Sequence, residues 1–159
     1  DRDGDPDAHP DRDGDADPDG GRSGAADRST APDGPTLRVF PGPRVDWFTA
    51  AAVEAFLTEP YTVSPTSNRV GTRLTGTALT RAVTDELPSE GLVLGAVQVP
   101  ANGEPLVFLA DHPTTGGYPV IAVLDPADVP LIAQARPGTR VRFAPSGTTW
   151  REVTGGPQQ

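Results

Sequence analysis

Two short apolar runs, residues 92–99 and 106–110, are separated by Pro100-Ala101-Asn102-Gly103. Each is of strand length and bounded by turn residues, so the pair predicts neighbouring β-strands rather than a helix. The second run opens into Asp111-His112-Pro113-Thr114-Thr115-Gly116-Gly117-Tyr118-Pro119. A loop of hydroxyls and glycines at a strand end is where a β-protein commonly places a polar ligand.

The flanking sequence repeats this short-strand pattern. Strands are predicted over 37–40, 61–63, 69–74, 118–124, 139–143 and 148–153. Thr49 reads as the N-cap of a helix that carries Val53, Phe56 and Leu57 on one face and stops at Pro60. Asp128 reads as the N-cap of a second short helix, stopped by Pro137-Gly138. About eight short strands and two short helices suit a mainly β fold. The expected form is a closed or nearly closed antiparallel barrel with helices at its ends.

Composition divides the chain. Residues 1–35 hold eleven Asp and four Arg, and their only apolar side chains are five Ala. Without large apolar groups that stretch cannot offset the entropy of ordering its backbone, so it is expected to be a disordered acidic linker. It carries most of the net charge of −9, and the remainder is close to neutral. Its best match to a calcium loop starts at Asp15 but puts Ala26 where the bidentate Glu belongs, and no helical pattern flanks it. Residues 36–153 then form one domain and 154–159 a flexible end.

All 13 basic residues are Arg, and Cys is absent. No disulfide or thiolate metal site can form. Without Lys there is no Walker-type phosphate loop, no biotinyl-lysine and no Schiff base on this chain. No apolar run approaches 18 residues and no signal-peptide pattern is present, so a cytoplasmic location is expected. The chain opens on Asp1 without Met and reads as part of something longer.

Several blocks resemble a known family. They are Ser64-Pro65-Thr66-Ser67-Asn68-Arg69-Val70-Gly71-Thr72-Arg73-Leu74, Ser89-Glu90-Gly91, Gly95-Ala96-Val97-Gln98-Val99-Pro100, Ala110-Asp111, Thr114-Thr115-Gly116-Gly117-Tyr118-Pro119 and Ala133-Gln134-Ala135-Arg136-Pro137-Gly138. In order and spacing they are similar to the family of the 5-oxoprolinase C component, also called allophanate hydrolase subunit 2, KipA-like or biotin-dependent carboxyltransferase domain. The resemblance spans about residues 36–153 and corresponds to the C-terminal portion of a family member. The acidic stretch would then link it to an N-terminal half.

The resemblance implies a cyclophilin-like β-barrel and a heteromeric complex with the A component and the KipI-like B component of 5-oxoprolinase. That complex cleaves 5-oxoproline to glutamate with ATP hydrolysis. It also implies two alternatives. One is carboxyl transfer from biotin on a partner to urea or a similar amide. The other is a non-catalytic regulator that binds a KipI-like partner. The family pattern has Met and Tyr where this chain has Val70 and Thr72.

Within these blocks the candidate catalytic residues are Arg69 and Asp111. Arg69 offers a planar donor fork suited to a carboxylate or carboxyphosphate. The candidate substrate-binding residues are Asn68, Gln98, Thr114, Thr115, Gly116, Gly117 and Tyr118. Gln98 lies inside an apolar run, where a buried amide needs partners from a ligand or from nearby backbone. Gly116 and Gly117 permit positive φ, so their amides could form an anion nest. Each assignment has a plainer counterpart: a turn Asn, a surface strand Arg, a satisfied core amide and a tight glycine turn. His112 is read as a solvent-facing loop residue and Arg73 as structural. No metal site is expected.

Overall fold

A computed structural model of the chain describes residues 33–147 and Trp150. Among these are nine strands: β1 (Asp33–Pro41), β2 (Tyr61–Val63), β3 (Gly71–Thr75), β4 (Glu90–Gly91), β5 (Ala96–Gln98), β6 (Leu106–Phe108), β7 (Thr115–Gly116), β8 (Val120–Leu124) and β9 (Arg140–Pro145). Seven close a barrel in the order β1-β8-β5-β6-β3-β2-β9, and β4 and β7 form a separate two-stranded ribbon.

The barrel is antiparallel at every seam but one. β1 runs parallel to β9, with Leu37 opposite Phe143 and Val39 opposite Pro145. The exception follows from parity. Strands that alternate in direction cannot close a ring of seven, so at least one seam must be parallel. That seam joins the first and last strands, which have the whole domain between them as the crossover a parallel pair needs.

The interior is filled by alternate residues of these strands, except in β8, where an irregular register against β5 turns both Ile121 and Ala122 inward. Leu37, Val39, Val63, Leu74, Val97, Val107, Ile121, Leu124, Val141 and Phe143 all belong to one buried cluster. Helix α1 (Ala50–Thr58) lays Val53 and Phe56 on it, and the Phe56 ring stacks on Phe143 at 4.4 Å between centroids. This helix starts where the sequence predicts. The Thr49 side chain accepts a hydrogen bond from the Ala52 amide at 3.0 Å, and the alanines carry it until Pro60 prevents continuation. Tyr61 is fully buried and its hydroxyl donates to the Thr77 carbonyl at 2.9 Å; burial raises its pKa.

Several expectations are corrected. The 92–99 run is extended only at Ala96–Gln98, because Gly95 adopts φ +87° and the Ala96 amide turns back onto the Val93 carbonyl. Residues 69 and 70 belong to a turn rather than to β3. Asn68 Oδ1 accepts from the Val70 amide at 2.9 Å, an Asx-type turn that delays the strand to Gly71. Asp128 precedes α2 (Val129–Ala133) but makes no cap hydrogen bond. Its carboxylate is taken by Arg38 of β1, through the backbone amide (2.8 Å), Nε (3.0 Å) and Nη2 (2.7 Å). Asp125 caps the preceding 3-10 turn instead, accepting from the Ala127 amide.

Of the strand expected over 148–153, Trp150 alone lies within the described residues. It is helical, buried, and donates its indole N–H to the Val39 carbonyl at 2.7 Å. The expected linker over 1–35 lies outside the described residues up to 32, and Asp33 already pairs with Arg140 in the β1–β9 seam. Among the described residues, no helix is long and apolar enough to cross a membrane.

Candidate functional site

The candidate residues fall into two groups. The first surrounds a cavity of about 370 Å³ between the 67–72 segment, the end of β6 and the residues around the end of α2. Asn68, Arg69 and Thr72 line one side, Leu109 and Ala110 another, and Ala133, Ala135 and Pro137 a third. Hydrogen bonds beyond the strands hold the two polar segments together. The Leu109 amide donates to the Val70 carbonyl at 2.9 Å and the Asp111 amide to the Arg69 carbonyl at 3.1 Å. Backbone pairing therefore carries Arg69 and Asp111 to each other, and Arg69 Nε lies 3.4 Å from Asp111 Oδ2.

That ion pair is open, with side-chain exposures of 88% and 54%. An exposed pair of this kind contributes little to stability. Its two groups can be redirected to a ligand at small cost. Asn68 spends Oδ1 on the turn, which aims the residue while leaving the Nδ2 donors without a partner among the described residues. The cavity thus offers a guanidinium and an amide donor on one wall and an apolar floor, and the Asp111 carboxylate reaches it only through its pairing with Arg69.

The second group lies on the outer wall of the barrel. Gln98, at 5% exposure, shares the outward face of β5 with Ala96, next to Leu106, Phe108 and Val120 of the second buried cluster. Strand alternation sends Val97 inward and Gln98 outward. The β4–β7 ribbon covers it. Glu90 opposes Gly116, Gly91 opposes Thr115, and the Leu92 amide donates to the Thr114 carbonyl at 2.9 Å. No hydrogen bond of the Gln98 carboxamide is found among the described residues. A buried amide left unpaired costs about 1–3 kcal/mol.

Gly116 and Gly117 do not form the expected anion nest, since neither has positive φ. Gly116 serves close approach instead. A Cβ there would lie 2.6 Å from Gln98 Nε2 and 3.0 Å from Leu92 Cδ1. Thr114, Thr115 and Tyr118 are exposed around it. His112 is half-buried, its Nδ1 donating to the Pro113 carbonyl at 2.6 Å and its ring 6.2 Å from that of Phe108. No hydrogen bond or ion pair joins the Arg69 group to the Gln98 group among the described residues.

Two features escape a reading of the sequence. Arg44 grips Glu90 through Nε (2.9 Å) and Nη2 and lies over the Trp47 ring at 5.3 Å, which ties the ribbon to the barrel. The hydrogen bond from Arg44 holds the Glu90 carboxyl below its ordinary pKa. The other is Thr72, buried and lining the cavity. Its alternation with inward-facing Leu74 was the available signal.

The model of the carboxyltransferase domain, subdomain A and B, matches residues 7–145. The chain belongs to this carboxyltransferase domain family. It is 44% identical to the C component of 5-oxoprolinase from Escherichia coli K12 over 110 residues, which is 69% of this chain and 36% of that protein. It is 32% identical to urea amidolyase of Lachancea kluyveri over 109 residues, covering 63% of this chain and 6% of that one. Among solved structures, the K. lactis urea amidolyase superposes with a TM-score of 0.67 at 27% identity, over 72% of this chain and 8% of that one. This carboxyltransferase domain chain therefore spans only about a third of the bacterial relative.

A nucleotide finds no matching phosphate cradle in these residues. Lys is absent from the chain, Gly116 is extended against Gln98, and neither Gly116 nor Gly117 has positive φ. No step is assigned to a nucleotide on this chain.

Proposed function

We propose that this chain is the C-terminal part of a protein like the 5-oxoprolinase C component. It would act as the carboxyltransferase-type member of an ATP-dependent complex that cleaves the amide of 5-oxoproline to give glutamate. The observation that carries the reading is the polar wall of the 370 Å³ cavity, where Asn68 and Arg69 line the space and Asp111 pairs with Arg69 at its edge. A small lactam that also bears a carboxylate needs these groups. Arg69 takes the carboxylate as a charge-assisted fork. Asn68 Nδ2 donates to the lactam carbonyl, and Asp111 accepts from the lactam N–H. Gln98 and the 114–118 segment form the second contact region, reached when the ribbon shifts. ATP is handled elsewhere in the complex, by the A and B components, and the N-terminal half of the protein completes the site.

A second reading is carboxyl transfer from biotin to urea or a similar amide. It is favoured by the similarity to urea amidolyases. The biotin would be carried by a partner, because the chain has no Lys. A third is a regulator that binds a KipI-like protein without turnover.

The test is ATP-dependent cleavage of 5-oxoproline by the full-length protein co-expressed with the A and B components. Arg69→Ala is expected to lower turnover by roughly 100-fold, as for loss of one preorganised charge contact. Wild-type turnover in that variant would remove Arg69 from the mechanism. A stable complex with no 5-oxoproline-stimulated hydrolysis would favour the second or third reading.

A further inference from the structure

A second cavity, of about 190 Å³, lies on the outer wall of the barrel. It sits between the segment after β2 and the turn joining β5 to β6, and nothing in the proposed reaction uses it. Its walls carry Ser64, Thr66, Arg73, Asn102 and Glu104, with Leu106 and two prolines as the apolar part.

Strand register explains the juxtaposition. Arg73 of β3 pairs with Leu106 of β6, and the Leu74 amide continues the ladder by donating to the Pro105 carbonyl at 3.0 Å. Arg73 and Glu104, which lies two positions before the Leu106 that Arg73 pairs with, therefore line the same cavity. Opposite charges in that relation commonly close an ion pair, but no ion pair joins them here. The Arg73 guanidinium has no hydrogen bond or ion pair among the described residues. Glu104 is held differently, its Oε2 accepting from the Gly76 amide at 3.2 Å and its backbone amide donating to Asn102 Oδ1 at 2.9 Å. The carboxylate is thus fixed by the turn, with one oxygen left over, while the cation opposite it is free. Ser64 Oγ and Thr66 Oγ1 lie 2.9 Å apart on the cavity rim and add hydroxyl contacts.

We propose that this cavity is a binding site for a small α-amino acid. The ligand carboxylate would take the two-pronged donor of Arg73, its ammonium the free oxygen of Glu104, and its side chain the prolines and Leu106. An anion alone would face Glu104 and a cation alone would face Arg73. The pair therefore selects a zwitterion against both. The inference does not rest on the proposed reaction at Arg69 and Asp111.

The test is titration of the 159-residue chain by NMR or calorimetry with L-alanine and L-serine, beside propionate and ethylamine, which each carry one head group. Saturable binding of the amino acids is expected, with propionate and ethylamine at least tenfold weaker. Arg73→Gln and Glu104→Gln should each weaken amino-acid binding at least tenfold, while Arg69→Gln leaves it unchanged. Glu104→Gln keeps an acceptor for the Gly76 amide, so loss of binding in that variant reports charge rather than unfolding. Absence of saturable binding would overturn the proposal. So would equal binding of propionate, or a loss confined to Arg69→Gln.

Discussion

Gln98 and Gly116 touch across the ribbon-to-barrel interface, so closely that a methyl on Gly116 would sit 2.6 Å from Gln98 Nε2. Gly116→Ala must displace either the buried amide or the ribbon, a form of overpacking that costs about 1–3 kcal/mol. The melting temperature should fall accordingly. Gly91→Ala, on the opposing strand, meets nothing within 4 Å and should stay within about 0.5 kcal/mol of wild type. Equal melting temperatures for the two variants would show that the ribbon yields freely.

The same amide makes a second prediction. Gln98 is buried without a hydrogen-bond partner among the described residues, so an isosteric apolar side chain relieves a desolvation cost. Gln98→Met should raise stability in chemical denaturation by about 1–3 kcal/mol. If Gln98 serves a ligand, the same variant loses activity in the assembled complex. A stability loss on Gln98→Met would instead show that the amide is satisfied in the native protein.

Gly42 tests backbone contact rather than side-chain contact. Its amide donates to the Ile121 carbonyl at 2.8 Å, and a Cβ there would lie 2.6 Å from the Val120 carbonyl oxygen and 2.7 Å from the Ala122 nitrogen. Backbone cannot swing aside as a side chain can. Gly42→Ala is expected to destabilise by more than about 3 kcal/mol, at the upper end for single substitutions. Soluble, cooperatively melting Gly42→Ala protein with a wild-type midpoint would contradict that.

Asp128 predicts a pH dependence. Hydrogen bonds from Arg38 hold its carboxyl below the ordinary range. A depressed folded-state pKa gives stability that is fully present above the unfolded value, near 4, and is lost as pH falls through the lower folded value. Asp128→Asn should therefore melt below wild type at neutral pH, and the gap should narrow as the pH drops below about 4. A gap independent of pH would mean that the Arg38 contact acts through shape rather than charge.

Much of the fold is legible locally. Thr49 and Pro60 bracket α1, Asn102-Gly103 turns β5 into β6, and alternation places Val141 and Phe143 inside, all through nearest-neighbour chemistry. The 92–99 run misleads because apolar character marks burial without saying which surface does the burying. Leu92 is buried under the ribbon, outside the barrel, and Gly95 breaks the strand between them. Asp128 misleads for a related reason. A cap residue has the right type for an ion pair too, and Arg38, ninety positions away, claims it.

The sequence by itself determined the β character, the turns, the helix ends and which residue types could carry chemistry, because these depend on contacts within a few positions. Only the tertiary structure decided which of those residues meet. Register between distant strands sets Asp111 beside Arg69 and Gln98 beneath Gly116, and the closure of seven strands sets the parallel seam. Those pairings depend on long-range packing, for which no local pattern supplies the partner.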